Sequence, residues 1–144
     1  MVQIVRRAAM YPATDSPAGP AWMCHAADHA GLPVSLVINE TAPGNGTRLH
    51  THTYDELFVV TVGQSTFTVL DVDTVTTFEL QAGDIAHVPA GTTHGFTNSG
   101  DGPLHQVDIH LTAFMGGVAL DGPDRRPVAF TFPRGNGSPA LTKD

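Results

Sequence analysis

The sequence predicts an all-β fold in one domain, and three observations carry the prediction. Short runs rich in Val, Ile, Thr and Phe lie between Gly, Pro, Asn and Asp punctuation, the pattern of a sandwich or barrel. No region keeps a helical apolar period over three turns. The 15 glycines and 11 prolines are spread along the chain rather than gathered into a linker. A chain of 144 residues fits one compact domain. A domain of that size buries about two thirds of its unfolded surface, enough for a core without disulfides or a structural metal.

The elements follow in order. Residues 1–33 read as an irregular arm, interrupted by Pro12, Pro17, Gly19 and Pro20, with room for one edge strand at 2–6. Residues 34–115 form the barrel core. Strands are predicted at 34–39 and at 57–62, the latter ended by Gly63. Residues 65–72 and 75–80 pair as a hairpin around Asp73-Thr74. A short strand at 85–88 stops at Pro89. Strands at 93–97 and 104–111 flank the turn-rich segment from Asn98 to Pro103. The tail, 116–144, reads as loop with a terminal strand at 128–132.

Composition narrows the partners. Seven Lys and Arg stand against 14 Asp and Glu, a formal net charge of -7. Arg6-Arg7 and Arg125-Arg126 are the only adjacent basic pairs, too few for a phosphate-binding stripe. Nucleic acid and anionic membrane surfaces are therefore not expected partners. The single cysteine, Cys24, forbids an intrachain disulfide. The N-terminus lacks a secretory h-region and no run of 18 apolar residues exists, so the expected location is the cytoplasm.

Chemistry concentrates in two segments. His50 and His52 share parity on an extended strand, so both imidazoles can reach one ion. Glu56, four residues on, keeps that parity and adds a carboxylate. In the second segment a strand enters the turn Pro89-Ala90-Gly91, where Gly91 supplies a positive φ, and His94 begins the next strand. Three imidazoles and a carboxylate suit one divalent transition metal: Fe, Mn, Ni, Co, Cu or Zn. Four protein ligands leave room on a five- or six-coordinate ion, as a Lewis-acid or oxygen-activating centre requires. A closed tetrahedral structural zinc site would leave none.

Ten spaced positions carry a resemblance. Gly44, His50, His52, Glu56 and Gly63 match the first motif of the cupin superfamily, and Gly83, Pro89, Gly91, His94 and Asn98 match the second. The chain thus resembles a small single-domain cupin over residues 44–98. The resemblance implies a β-barrel of jelly-roll type, metal ligation by His50, His52, Glu56 and His94, and a homodimer. The alternative is a barrel that keeps the motifs without the metal.

Other residues have two readings each. Tyr54 and Phe58 share the ligands' parity and either line the cavity or fill the core. Arg48 either points inward to hold a substrate carboxylate or enolate, or is exposed at the barrel mouth. Gln106, Asp108 and His110 share one face of the last core strand. Apolar residues normally point into a small barrel, which turns this face to solvent or a partner copy. If it instead lines the pocket, His110 becomes an acid/base candidate. Cys24, His25 and His29 read as incidental arm sequence rather than a second metal site. His87 reads as packed or surface, and His105 has no assigned role.

The expected function is a metal-dependent enzyme acting on a small organic substrate, foremost a dioxygenase-type oxidoreductase with Glu56 as ligand and base. A metal-dependent isomerase or polyketide-type cyclase is the alternative within the same site. A non-catalytic small-ligand-binding module is the alternative of another class.

Overall fold

The computed structural model describes residues 1–14 and 16–133; the last part of the expected tail, 134–144, lies outside the described residues. Among the described residues, twelve strands form two six-stranded antiparallel sheets. They are β1 (Tyr11–Ala13), β2 (Ala21–Cys24), β3 (Ser35–Thr41), β4 (His50–Thr51), β5 (Glu56–Val62) and β6 (Gln64–Asp71). The second half holds β7 (Thr74–Gln81), β8 (Ile85–Val88), β9 (Thr93–Asn98), β10 (Leu104–His110), β11 (Gly116–Asp121) and β12 (Arg126–Thr131). One sheet runs β1-β2-β3-β10-β5-β8 and the other β12-β11-β4-β9-β6-β7. The regular helices are two single 3-10 turns, Arg7–Ala9 and Ala26–Asp28. The two sheets face each other as a jelly-roll type barrel, as expected.

Two apolar clusters fill the space between the sheets. Phe58, Val60, Phe67, Val88, Phe96 and Leu104 make the larger one. Phe58 meets Phe67 and Phe96 at ring distances of 5.2 and 5.9 Å, tilted and edge-on as aromatic quadrupoles prefer. The smaller cluster joins β1, β2 and β3 to the segments flanking the β11–β12 hairpin through Ala13, Ala21, Met23, Val37 and Met115, with Phe132 against it.

Three sequence expectations change. No strand forms at 2–6: Val2 and Ile4 stay exposed, and the edge position is taken by β1. Pro12 fits there because an edge strand tolerates a missing N–H. The β6–β7 hairpin turns one residue earlier than predicted, with Asp71 opposite Thr74 and Val72 in the left-handed region at φ 54. The third change is β11, in a segment read as loop. Gly116-Gly117 argues against a strand by propensity. Yet a Cβ on Gly117 would overlap the Thr51 carbonyl, so a residue without one lets β11 lie against β4.

Candidate metal centre

The centre forms where β4, β5, β9 and β10 converge. β4 is only two residues long, and it pairs with β9 so that His50 lies directly opposite His94. His52 follows the end of β4. The chain then bends through residues 53–55 and crosses to the other sheet, where Glu56 opens β5. The single strand face expected for His50, His52 and Glu56 is thus two sheets facing each other. The turn at Pro89 and Gly91 forms as expected, with Gly91 at φ 81, and its N–H donates to the His52 carbonyl at 2.9 Å.

All four residues are buried, and their ligand atoms lie within 4.8 Å of one another. Each imidazole is held the same way. Nδ1 of His50 meets the Arg48 carbonyl at 2.7 Å, that of His52 the Tyr54 carbonyl at 2.8 Å, and that of His94 the Thr92 carbonyl at 2.8 Å. A carbonyl only accepts, so each Nδ1 carries the proton. In the neutral ring the Nε2 lone pair is then free to bind an ion, the arrangement typical of metal-ligating histidines. Burial, aided by neighbouring His94, pushes the pKa of His50 down to about 4, which keeps it neutral near pH 7.

Glu56 sits among the rings. Its Oε2 lies 2.6 Å from Nε2 of His52 and 3.1 Å from Nε2 of His94. Its Oε1 lies 3.1 Å from Nε2 of His110. Burial by itself would raise this carboxyl, but the imidazoles of His110, His52 and His94 beside it outweigh that and hold the pKa well below the usual range. With Nδ1 already donating to a carbonyl, His52 and His94 donate to Glu56 only as imidazolium, and a bound ion would take the place of those Nε2 protons. Glu56 is therefore a carboxylate. Three converging imidazoles and one anion form a set able to bind one metal ion.

Behind the centre, β10 corrects an expectation. Gln106, Asp108 and His110 are buried and face inward, while Val107 and Ile109 point outward. Polar partners make the inversion tolerable. Asn39 donates to Asp108 Oδ2 at 2.7 Å, and Gln106 donates to Oδ1 at 2.7 Å. Burial, with the nearby charge of Glu56, raises the Asp108 pKa well above the usual range, so this carboxyl is protonated where Glu56 is not.

The remaining candidates separate. Tyr54 stacks on His52 at 4.2 Å, and its hydroxyl lies 3.0 Å from Nδ1 of His110. Phe58 belongs to the core and meets His94 edge-on at 5.8 Å. Arg48 points outward and pairs with Asp121 at 3.0 Å; its carbonyl, not its guanidinium, serves the centre. Asn98 is a structural clamp, donating to the Thr41 and Gly102 carbonyls and accepting from the Gly100 N–H.

Cys24, His25 and His29 form no ligand cluster among the described residues. His25 instead ties the arm to the segments just before β11 and just after β12. Its Nδ1 accepts from the Met115 N–H at 3.0 Å, and its Nε2 meets the Phe132 carbonyl at 3.1 Å. Cys24 is buried, which raises its thiol pKa. His87 lies on the surface, 2.9 Å from Asp55. Sequence reading missed the three carbonyls that orient the rings. Their common two-residue offset from each histidine was the available signal.

Two cavities flank the centre. One of about 360 Å³ lies between β1 and the β11–β12 hairpin and includes His50 in its wall. The other, about 420 Å³, is bounded by His52, Tyr54 and Met115.

A family profile described as a cupin domain matches residues 37–110, half of the chain. The chain belongs to the cupin family. An oxalate decarboxylase from Lactobacillus farciminis, solved as a formate complex, superposes with a TM-score of 0.69 at 25% identity, over 77% of this cupin and 33% of that chain. A Bacillus subtilis oxalate decarboxylase, studied for its Mn(II) centres, gives 0.67 at 27% identity, over 74% and 29%. An oxalate oxidase shares the fold, with a TM-score of 0.61 at 23% identity over 70% of this cupin and 55% of its own chain. This cupin spans about a third of the length of the two decarboxylases. No curated protein sequence matches it. No helix of the described residues is long and apolar enough to cross a membrane.

Proposed function

We propose that this cupin is a metal-dependent oxidoreductase of dioxygenase type acting on a small organic molecule. One observation carries the reading: His50, His52 and His94 present Nε2 to a common point beside the Glu56 carboxylate, and His50 also forms part of the wall of a cavity. These four residues would hold the ion. A bound transition metal supplies Lewis acidity and, where redox-active, electron transfer between substrate and O₂. The protein supplies the rest. Carbonyls fix the tautomers, burial keeps water scarce, and His110 holds the second oxygen of Glu56.

The same residues support a second reading, proton-transfer isomerisation or cyclisation. The Tyr54 hydroxyl has one proton and two acceptors in reach, the Gly116 carbonyl at 3.2 Å and His110 Nδ1 at 3.0 Å. When it turns to His110, the neutral ring donates Nε2–H to Glu56 Oε1. A proton can thus be held at, or moved from, a carboxylate beside the substrate.

Metal content decides the first level. Protein purified without chelators should carry one transition ion per chain, and His50→Ala and Glu56→Ala should each lower metal affinity at least about tenfold. Oxygen-electrode assays with phenols and β-diketones then separate the readings. Substrate-dependent O₂ uptake supports the oxidoreductase. Anaerobic exchange of substrate protons for solvent deuterium supports the isomerase. Folded protein that retains no metal refutes both.

We also propose that two copies pair through the outer face of the sheet containing β10, where Ile38, Val107 and Val59 form a cross-strand apolar row.

A further inference from the structure

The cavity beside His50 differs chemically from one suited to oxalate. Tyr11, Ala13, Met23, Ala119, Phe130 and Phe132 give its wall an apolar and aromatic side. Phe130 and Phe132 stack on each other at 5.5 Å and 25°, forming a half-buried aromatic shelf. Phe130 also meets the His50 ring edge-on at 5.9 Å, so the shelf leads to the centre. Among the described wall residues Arg48 alone carries a full charge. That charge is answered by Asp121 at 3.0 Å. A dicarboxylate such as oxalate brings two charges and little apolar surface, and this wall offers it no uncompensated cation. Desolvating an unpaired carboxylate there is costly. A planar aromatic ring suits the same space, since apolar ligand sites start at about 300 Å³ and flat rings stack on aromatic faces.

We infer that this cavity binds a small aromatic molecule with a single oxygen donor, of the phenol or naphthol class, its ring on Phe130 and Phe132 and its oxygen toward His50. The inference rests on the proposed metal-dependent reading for the direction of the oxygen, and on the cavity wall for the ring. It sets the substrate class apart from that of the oxalate enzymes which share the fold.

Calorimetric titration of 2-naphthol and of oxalate into the full chain tests it, with protein treated with chelator and with protein loaded with Mn(II). The expected result is saturable 2-naphthol binding to chelator-treated protein and no measurable oxalate binding to it. Ala119→Leu fills the cavity from β11, and Ala13→Leu fills it from β1. Each should weaken 2-naphthol at least tenfold while Mn(II) stoichiometry and circular dichroism stay as in the parent. Oxalate binding to chelator-treated protein as tightly as 2-naphthol overturns the inference. So does a 2-naphthol affinity unmoved in both variants. Protein that takes 2-naphthol but neither Mn(II) nor any of Fe(II), Co(II), Ni(II), Cu(II) and Zn(II) refutes the proposed function and leaves the cavity assignment standing. Protein that takes Mn(II) but no 2-naphthol does the reverse.

Discussion

Glu56 and Asp108 are two buried carboxyl groups with opposite protonation, and their neighbours decide which is which. Glu56 has three imidazoles around it; Asp108 has two amides and a nearby anion. The buried Gln106 Oε1 has no partner in the present amide orientation. Turning that amide over would offer Oε1 to a protonated Asp108, a choice made by hydrogen-bond logic because amide O and N look alike. The consequence for stability has a definite sign. An acid whose pKa rises on folding keeps its proton longer in the folded state. Below its unfolded value, about 3.9, both states are protonated and nothing is lost. As pH climbs above that value, the unfolded chain sheds the proton first and gains, so folded stability falls until the raised pKa is passed. Glu56 contributes oppositely, with stability present at higher pH and lost as pH falls through its lowered pKa. Asp108→Asn mimics the protonated form and removes only the first effect. In chelator-treated protein, the melting temperature of this variant should gain on the parent progressively as pH climbs above about 4. A gain that does not grow with pH would show that Asp108 is not held protonated.

The strands of the core were legible because punctuation by Gly, Pro and Asn bounds runs of strand-forming residues, and β8 begins and ends where the sequence placed it. The ligands were legible because i, i+2 and P-x-G spacings are local. What escaped depends on contacts between distant segments. β11 was hidden by Gly116-Gly117, a pair that propensity scores as loop and that close packing against β4 favours. Gly117→Ala tests this directly. The added methyl meets the Thr51 carbonyl and the Cβ of His52, so either β11 moves away or His52 is pushed off its position. Thermal or denaturant unfolding should show a loss of about 1–3 kcal/mol, the range for overpacking a filled site. Metal affinity should fall with it, since His52 is the neighbour displaced. Unchanged stability would mean that β11 sits on β4 more loosely than described. The inward turn of Gln106, Asp108 and His110 escaped for another reason. The rule that apolar residues face inward fails where the interior is built around a metal-binding cluster, and Asn39 from β3, far away in sequence, supplies the compensation.

That inversion has a counterpart on the outside of the barrel. If β10 turns its polar residues in, its apolar residues must turn out, and its neighbours do the same. Register places Trp22, Ile38, Val107, Val59 and Ile85 in one row across β2, β3, β10, β5 and β8. Leu36, Ile109 and Leu57 make a second row beside it. Ile85 is 64% exposed, and the others are half-buried by their own neighbours. Continuous apolar rows on an outer sheet face exceed the scattered exposure normal for a monomer and mark an association surface. The proposed occupant is a second copy, because a two-fold axis lets one such face meet itself. Ile38→Glu and Val107→Glu each set a charge in the centre of the row without touching the inner face. A dimeric parent should become monomeric in either variant by light scattering coupled to size exclusion, at tens of micromolar chain. The metal content should stay at the parent's level, because the ligands lie on the inner side of the same strands or on the opposite sheet. A parent that runs as a monomer at that concentration, or variants that remain dimeric, would place the contact elsewhere and leave these apolar rows without a partner.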